Sequence, residues 1–457
     1  MRLFISFTFF LLGSFLWSQD SIYISKTEFI GNKKTKDFII ERELTLESGK
    51  YYMICDTARL IESSEINLTN TNLFNYNEIT IVNNGIDYTL MVDVTERWYV
   101  WPNPIFKVQE RNFAAWWDNG HNLNRANYGM FISHYNCRGR REKLDLRLQL
   151  GYSKTIGLDY DIPMFKKMGN WGGHLNYSFI TRHEIPYTVD NDRWVFLNLE
   201  NEIVRKENTA YLEIYYRQGF YAKHRMLVDY KNIQLSDTVA QLNPYYLGNN
   251  HNKLSYFTLM YQYRIDKRND KDFPLKGHYL EAEVIKNGVG LLSDVDALYG
   301  QAEWKHFFNI HKKLYGAYGL RGKMSTNNFQ SFYVERYLGR HELPRAYDQY
   351  VIVGQSYYCF KSNLRYEVFN NSNIQLPLIN NPKFGKLHLA NYISTFFDFG
   401  RVWDNTSYRN TTLSNVNLYS YGLGLETTTY YDAVLRIEYS RNHLRKSRFF
   451  IHFTAPI

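Results

Sequence analysis

The sequence predicts an all-β transmembrane barrel of about sixteen antiparallel strands, preceded by one small α+β domain. Three observations carry this prediction. Alternation with a period of two residues recurs through most of the chain, and Leu144-Asp-Leu-Arg-Leu-Gln-Leu150 sends leucines to one face and polar residues to the other. Aromatic residues make up 17% of the 457 residues, with 40 Tyr, 30 Phe and 9 Trp. Tyrosine, with an apolar body and a polar tip, suits a wall that is greasy outside and wet inside. Mean hydropathy is only -0.46, and no run of about 18 apolar residues follows the N-terminus, which argues against a helical membrane protein. A barrel still reads as hydrophilic, because alternate residues face a polar lumen.

The chain opens with Met1-Arg2, an apolar run from Leu3 to Trp17, and Ser18-Gln19-Asp20. A basic start, a short apolar stretch and a small residue near a cut describe a signal peptide over 1–19, so export is expected. The alternative is an uncleaved anchor, disfavoured by the short run and the missing basic stop. No Cys stands near the cut, so a lipid anchor is not expected.

Residues 20–96 read as the small domain. Ile22 to Gly31 alternates like a strand and ends on a glycine turn. Thr35 to Leu46 and Asp56 to Leu68 carry apolar residues at helical spacing, with Gly49 as a stop between them. Glu78 to Val82 and Tyr88 to Glu96 are strands joined by Asn83-Asn84-Gly85, a strong hairpin signal. The order β-α-α-β-β resembles a single POTRA domain. Such a module leaves an edge strand that either accepts an extended client segment by β-augmentation or merely spaces and docks partners.

Residues 97–457 read as the barrel. Strand-like alternation appears at His174 to Phe179, Ala210 to Arg217, Tyr279 to Val284, Asn363 to Val368, Tyr419 to Glu426, Leu435 to Ser440 and Arg448 to Ala455. A soluble sandwich shares such alternation, but here the apolar sets recur across many strands, and a spanning strand takes about 9–11 residues. With Tyr221 to Asn250 taken as one external loop the count is about sixteen, an even number; a strand at Met226 to Tyr230 would make it seventeen.

Four phrases then carry a family resemblance. Gly139-Arg-Arg-Glu-Lys-Leu-Asp-Leu, followed by Gly157-Leu-Asp-Tyr-Asp-Ile-Pro163, resembles the early turn and hairpin of the BamA/TamA superfamily. Tyr263-Arg-Ile-Asp-Lys-Arg-Asn-Asp with Phe273-Pro-Leu-Lys-Gly277 resembles its Asp-x-Arg-Asp and Phe-Pro-x-x-Gly turn. Leu343-Pro-Arg-Ala-Tyr347 is similar to its Val/Leu-Arg-Gly-Phe/Tyr loop motif, and Phe396-Phe-Asp-Phe-Gly400 to its Phe-x-Asp-x-Gly strand motif. The chain departs from the pattern in having Ala346 where the motif has glycine, an added Pro344, and Phe453-Thr-Ala-Pro-Ile457 in place of an aromatic last residue.

The resemblance implies that a long external loop folds into the lumen, where Arg345 pairs with Asp398 on the inner wall beside Gly400. Gly339, Ala346 and Tyr347, next to Leu343, would let the tip pack closely. It also implies a seam between the first and last strands. Pro102 and Pro104 stand in the first strand, while Phe449 and Phe453 belong to the last, which ends near Pro456. Proline removes a ladder donor, so these residues either weaken the seam or simply mark strand ends.

The net charge is +9, from 54 basic and 45 acidic residues. The charges alternate along strands instead of clustering in a recognisable module, which argues against nucleic acid. Cys55, Cys137 and Cys359 are distant and odd in number, giving no disulfide framework and leaving a single bridge open. No metal motif, phosphate loop or nucleophile–base grouping is present, so neither catalysis nor a cofactor is expected. The resemblance implies insertion of proteins into the bacterial outer membrane, or their translocation across it, with the POTRA-like domain in the periplasm. The partners it implies are unfolded or exported outer-membrane clients, accessory lipoproteins, periplasmic chaperones and membrane lipid. The alternatives are a secretion pore dedicated to one exported partner and a passive or structural channel.

Overall fold

The computed structural model describes residues 21–108, 126–199, 202–248, 251–290, 292–326, 331–335, 344–375, 386–406, 409–429 and 433–454. The expected signal peptide lies outside them. The first 76 described residues build a foot from β1 (Ser21–Ile30), α1 (Asp37–Glu41), β2 (Lys50–Met53), α2 (Ile54–Thr69), β3 (Phe74–Asn83) and β4 (Tyr88–Glu96). Its sheet runs in the order β2-β1-β4-β3, with β1 and β4 parallel and the outer pairs antiparallel. Ile24, Ile39, Ile40, Leu68, Leu90 and Val92 form its dry core. Two expectations need correction. The first helix is shorter than Thr35 to Leu46, and the short edge strand β2 has no counterpart in the expected order. Four residues are too few to show alternation, and β2 forms because its backbone pairs with β1 at Tyr23 and Tyr51.

The wall begins with β5 (Val100–Val108), β6 (Ala126–Cys137), β7 (Glu142–Gly151), β8 (Thr155–Ile162) and β9 (Trp171–Arg182). A separate hairpin follows, β10 (Glu184–Asp190) with β11 (Arg193–Asn198). The wall resumes with β12 (Arg205–Gln218), β13 (Ala222–Leu235), β14 (Lys253–Asp266), β15 (Gly277–Val289), β16 (Leu292–His311) and β17 (Leu314–Ser325). It ends with β18 (Ser356–Gln375), β19 (Lys386–Trp403), β20 (Asn417–Thr428), β21 (Val434–Asn442) and β22 (Ser447–Thr454). Each strand pairs antiparallel with its neighbours in one 16-stranded sheet running from β22 to β5, forming an antiparallel barrel.

The expectation that Tyr221 to Asn250 is one loop is overturned: Ala222–Leu235 is strand β13, paired along its length with β12 and β14. Its charged residues hid it. Arg225 bonds Glu213 through Nε at 2.6 Å on the inner face, while Met226 and Val228 stand exposed on the outer one. The count stays at sixteen, with β10 and β11 outside the barrel sheet.

Alternation explains the wall. Leu146, Leu148, Leu150, Leu175, Leu212 and Ile393 are exposed on its outer face. The inner face is ionic: His174 bonds Asp159 at 2.9 Å, Arg264 bonds Glu281 at 2.7 Å and Arg365 bonds Glu426 at 2.7 Å. Outer residues with no polar partner fit lipid, and inner charges with partners fit a wet lumen.

At the rim away from the foot, the connecting segments pack together. Short helices α3 (Asp237–Leu242) and α4 (Phe332–Glu335) contribute to an apolar cluster. Phe332, Tyr333, Tyr246, Ile185 and Val295 lie in it. Beside it Gln355 donates to Glu335 at 2.8 Å and to Asp404 at 3.0 Å, and Arg409 pairs with Glu335.

At the near rim the foot is bonded to the barrel. Lys36 N–H donates to the Gly139 carbonyl at 3.0 Å, and Asn136 donates to Thr35 Oγ1 at 2.9 Å. Gly139 has φ +70°, and a Cβ there would lie 2.0 Å from the Lys34 carbonyl oxygen, so only glycine permits the approach. Arg217, at the end of β12, grips Glu43 of the foot through two bonds of 2.6 Å. Cys55, Cys137 and Cys359 are all unbridged.

Burial alone would raise the carboxyl of Glu43, but Arg217 and Arg141 outweigh it and hold it below the ordinary carboxylate range. A carboxyl depressed by docking stabilises the docked form above its free value, and that contribution is lost as pH falls through its bound value. The foot is therefore expected to stay docked from neutral pH down to about 4.3 and to loosen below it. The measurement is a spin-label distance between α2 and the 138–141 turn. Glu43→Gln is expected to abolish the acid transition and to weaken docking at neutral pH by about 3–5 kcal/mol, the cost of unpairing a buried arginine.

Candidate functional site

Pro344, in the segment between β17 and β18, lies against the barrel wall at Gly400. Arg345 meets Asp398 of β19 three times: its backbone N–H donates to Oδ2 at 2.9 Å, Nε to Oδ2 at 2.8 Å and Nη2 to Oδ1 at 2.6 Å. Nη2 also donates to the Ser362 carbonyl of β18 at 2.9 Å, and Nη1 lies 3.6 Å from Glu438 of β21. The guanidinium lies 3.7 Å from the centroid of the Phe396 ring. Asp398 is 0% exposed, so the pair is shielded from water, where a planar fork onto a carboxylate is strongest.

The wall is shaped to receive this side chain. Gly422 stands under Phe396, and a Cβ there would come within 2.8 Å of the ring. Gly400 stands under Pro344, where a Cβ would meet the proline Cγ at 3.4 Å and the Tyr358 carbonyl at 2.8 Å. The added proline thus occupies space that the strand glycine leaves.

Ala346 takes φ +69°, the left-handed region where glycine is the unstrained choice. Its carbonyl accepts a bond from Asn442 Nδ2 at 3.1 Å. Tyr347 is buried, donates its hydroxyl to the Tyr419 carbonyl at 3.0 Å, and stacks on His443 with ring centroids 5.8 Å apart. Ile352, Tyr357, Val402, Leu413 and Leu418 complete an apolar cluster around it.

Arg345, Ala346, Tyr347, Asp398 and Gly400 are therefore brought together, while Leu343 and Gly339 lie outside the described residues. Sequence reading missed Glu438, Ser362, Asn442 and Gly422. No motif marks them, and only the register of β18 to β21 aligns them beneath the loop.

The second group forms the sheet's two ends. Pro102 pairs with Ile132 and Pro104 with Met130 in the β5–β6 ladder. Proline cannot donate, so both occupy positions whose donor would point away from β6, toward the free edge. Phe449 and Phe453 pair with Tyr439 and Leu435 of β21, and project outward at 74% and 69% exposure. Among the described residues β5 and β22 share no ladder. Pro456 lies outside the described residues.

The model of the Omp85 superfamily domain matches residues 136–442, more than half of the chain. The structure of BamA from Haemophilus ducreyi lacking POTRA domains 1-3 is similar over 94% of this chain and 84% of that one, with TM-score 0.51 and 15% identity. CdiB from Escherichia coli is similar over 94% and 75%, with TM-score 0.52 and 12% identity. These likenesses speak to the fold. No curated protein matches the sequence.

Asp398→Asn keeps the shape but removes the charge, and is expected to weaken seating of the loop by about 3–5 kcal/mol. Arg345→Lys keeps the charge but loses the fork, and is expected to act in the same direction with a smaller effect. Both should lower the temperature at which the barrel unfolds in detergent and should speed protease cleavage near residues 344–350.

Proposed function

The chain belongs to the Omp85 superfamily, and from that premise we propose that it inserts other barrel proteins into the bacterial outer membrane. The barrel lies in that membrane with its foot on the periplasmic side. The observation that carries the reading is the pair of sheet ends that share no ladder among the described residues, with Pro102 and Pro104 withholding donors from the free edge of β5. An unpaired edge in a membrane wall is a template on which a client strand can form hydrogen bonds. The driving free energy comes from the client itself, through strand pairing and burial of its apolar face in lipid, without nucleotide or cofactor.

Arg345 and Asp398 serve this reading as a brace, fixing the loop against β18 to β21 while the opposite edges part. The edge strand β2 of the foot, with its own Tyr51 and Met53 exposed, offers a first contact for an extended client segment. Accessory lipoproteins and periplasmic chaperones would join at the foot. The apolar cluster at the external rim supports this reading over a freely diffusive channel, since it packs hydrophobic side chains across the connecting loops.

Purified protein in liposomes is expected to accelerate membrane folding of an unfolded outer-membrane barrel, read as the gain of its compact, heat-sensitive gel form. A disulfide engineered between β5 and β22, in a variant lacking the three native cysteines, is expected to abolish that acceleration, and reductant to restore it. Full activity in the locked form would remove the seam from the mechanism. Depletion in cells separates the roles: insertion predicts broad loss of barrel proteins, dedicated secretion the loss of one exported protein, and a passive channel the loss of solute uptake alone.

A further inference from the structure

Between the foot and the periplasmic rim lies a cavity of about 360 Å3 with an unusual charge balance. Seven Arg and Lys side chains line it against three carboxylates. Two of those carboxylates are already engaged by cations. Glu43 takes both terminal nitrogens of Arg217 at 2.6 Å, and Asp266 holds Arg268 at 2.8 and 2.7 Å. The third, Asp161, accepts the Tyr215 hydroxyl at 3.0 Å. Arg264 is matched by Glu281, which bonds it from the wall at 2.7 Å.

The remaining cations are poorly matched. Arg42, from the foot, has its Nη2 buried with no hydrogen-bond partner. Burial and the charge of Arg217 pull its guanidinium down to about 10. Arg141 lies 3.5 Å from Glu43 and donates Nη2 to the Asn70 carbonyl at a long 3.4 Å, and Lys271 Nζ donates to the same carbonyl at 3.1 Å. Lys223 stands 3.2 Å above the Tyr215 ring. Counting Glu281, the site keeps a surplus of three positive charges. Like charges gathered in a confined space raise the free energy of the empty site, and an anion of matching charge relieves it.

We propose that this cavity binds a phosphate-bearing anion that bridges Arg42 of the foot to Arg141 and Lys271 of the barrel rim. A single carboxylate would leave most of the surplus unmatched. A phosphomonoester or diphosphate brings about two or more negative charges and at least three acceptor oxygens, which suits guanidinium forks beside an ammonium. The volume exceeds that of one phosphate and admits a diphosphate or a phosphorylated headgroup. Lys271 is solvent-exposed, which gives a ligand a route in. Because the ligand touches both bodies, it stabilises the docked foot by mass action. Both a free solute and a lipid headgroup carry this chemistry.

The test uses the full chain in micelles of an uncharged detergent, titrated calorimetrically with inorganic pyrophosphate and, separately, with short-chain phosphatidic acid. Saturable one-to-one binding of either is expected, weakened about tenfold or more by Arg42→Gln and by Lys271→Gln, a loss of about 1.4 kcal/mol for each tenfold. Binding of pyrophosphate assigns a free solute; binding of phosphatidic acid alone assigns a headgroup. Lys271→Gln, in an exposed turn, carries the comparison if Arg42→Gln does not fold. The inference is overturned if neither probe binds, if both variants bind unchanged, or if citrate binds as tightly as pyrophosphate. Binding is read without any insertion assay, so its failure and that of the insertion reading are separate results.

Discussion

Asp398, a carboxylate fully buried in the barrel wall, needs a cation, and Arg345 is delivered to it from the segment that joins β17 to β18, coming within 3.6 Å of Glu438, which also has Arg436 at 3.2 Å. Buried carboxylates without a partner would be costly, so the wall and the loop are each incomplete without the other. The dependence spreads outward. The guanidinium needs Phe396 beneath it, and Phe396 needs the bare backbone of Gly422. The approach of Pro344 needs Gly400, and the left-handed turn at Ala346 is held by Asn442. One ion pair therefore accounts for the glycines Gly400 and Gly422 of β19 and β20 and for the seating of residues 344–347 against the wall.

A second clamp works on the other half of the molecule. The loop is fixed to β18, β19, β20 and β21 through Ser362, Asp398, Tyr419 and Glu438. The foot is fixed to the ends of β6, β12 and β14 through Gly139, Arg217 and Arg268. Each clamp relies on a bidentate arginine on a buried carboxylate, one built from Arg345 and one from Glu43. Between the two clamped arcs lie the sheet's ends, β5 and β22, which among the described residues have one strand partner each where the other strands of the wall have at least two.

The wall was readable because a half-buried strand must alternate, and the leucines of β7 and the tyrosines of β20 do so. Strand β13 was misread because Lys223, Arg225, Asp229 and Lys231 give it the polarity of a loop; an ionic lumen accepts such residues where a dry core would reject them. Strand β2 was missed because four edge residues are held by backbone pairing, which leaves no side-chain pattern. Arg345 and Asp398 stood out through their motifs, but Glu438 and Asn442 did not. They come from β21, and only the accumulated register of four strands aligns them with the loop. The foot's grip on the barrel was equally silent, since Glu43 and Arg217 lie 174 residues apart.

Among the described residues, the bonds that join the foot to the barrel reach the ends of β6 and β12 and the turns that follow β6 and β14. A pull on the foot is therefore passed to that clamped arc, with the opposite arc held as a separate plate by the inner loop. Paired ladders resist the resulting shear along most of the circumference. Among the described residues no ladder joins β5 to β22, so under the proposed insertion reading that boundary is where such a load would be felt first.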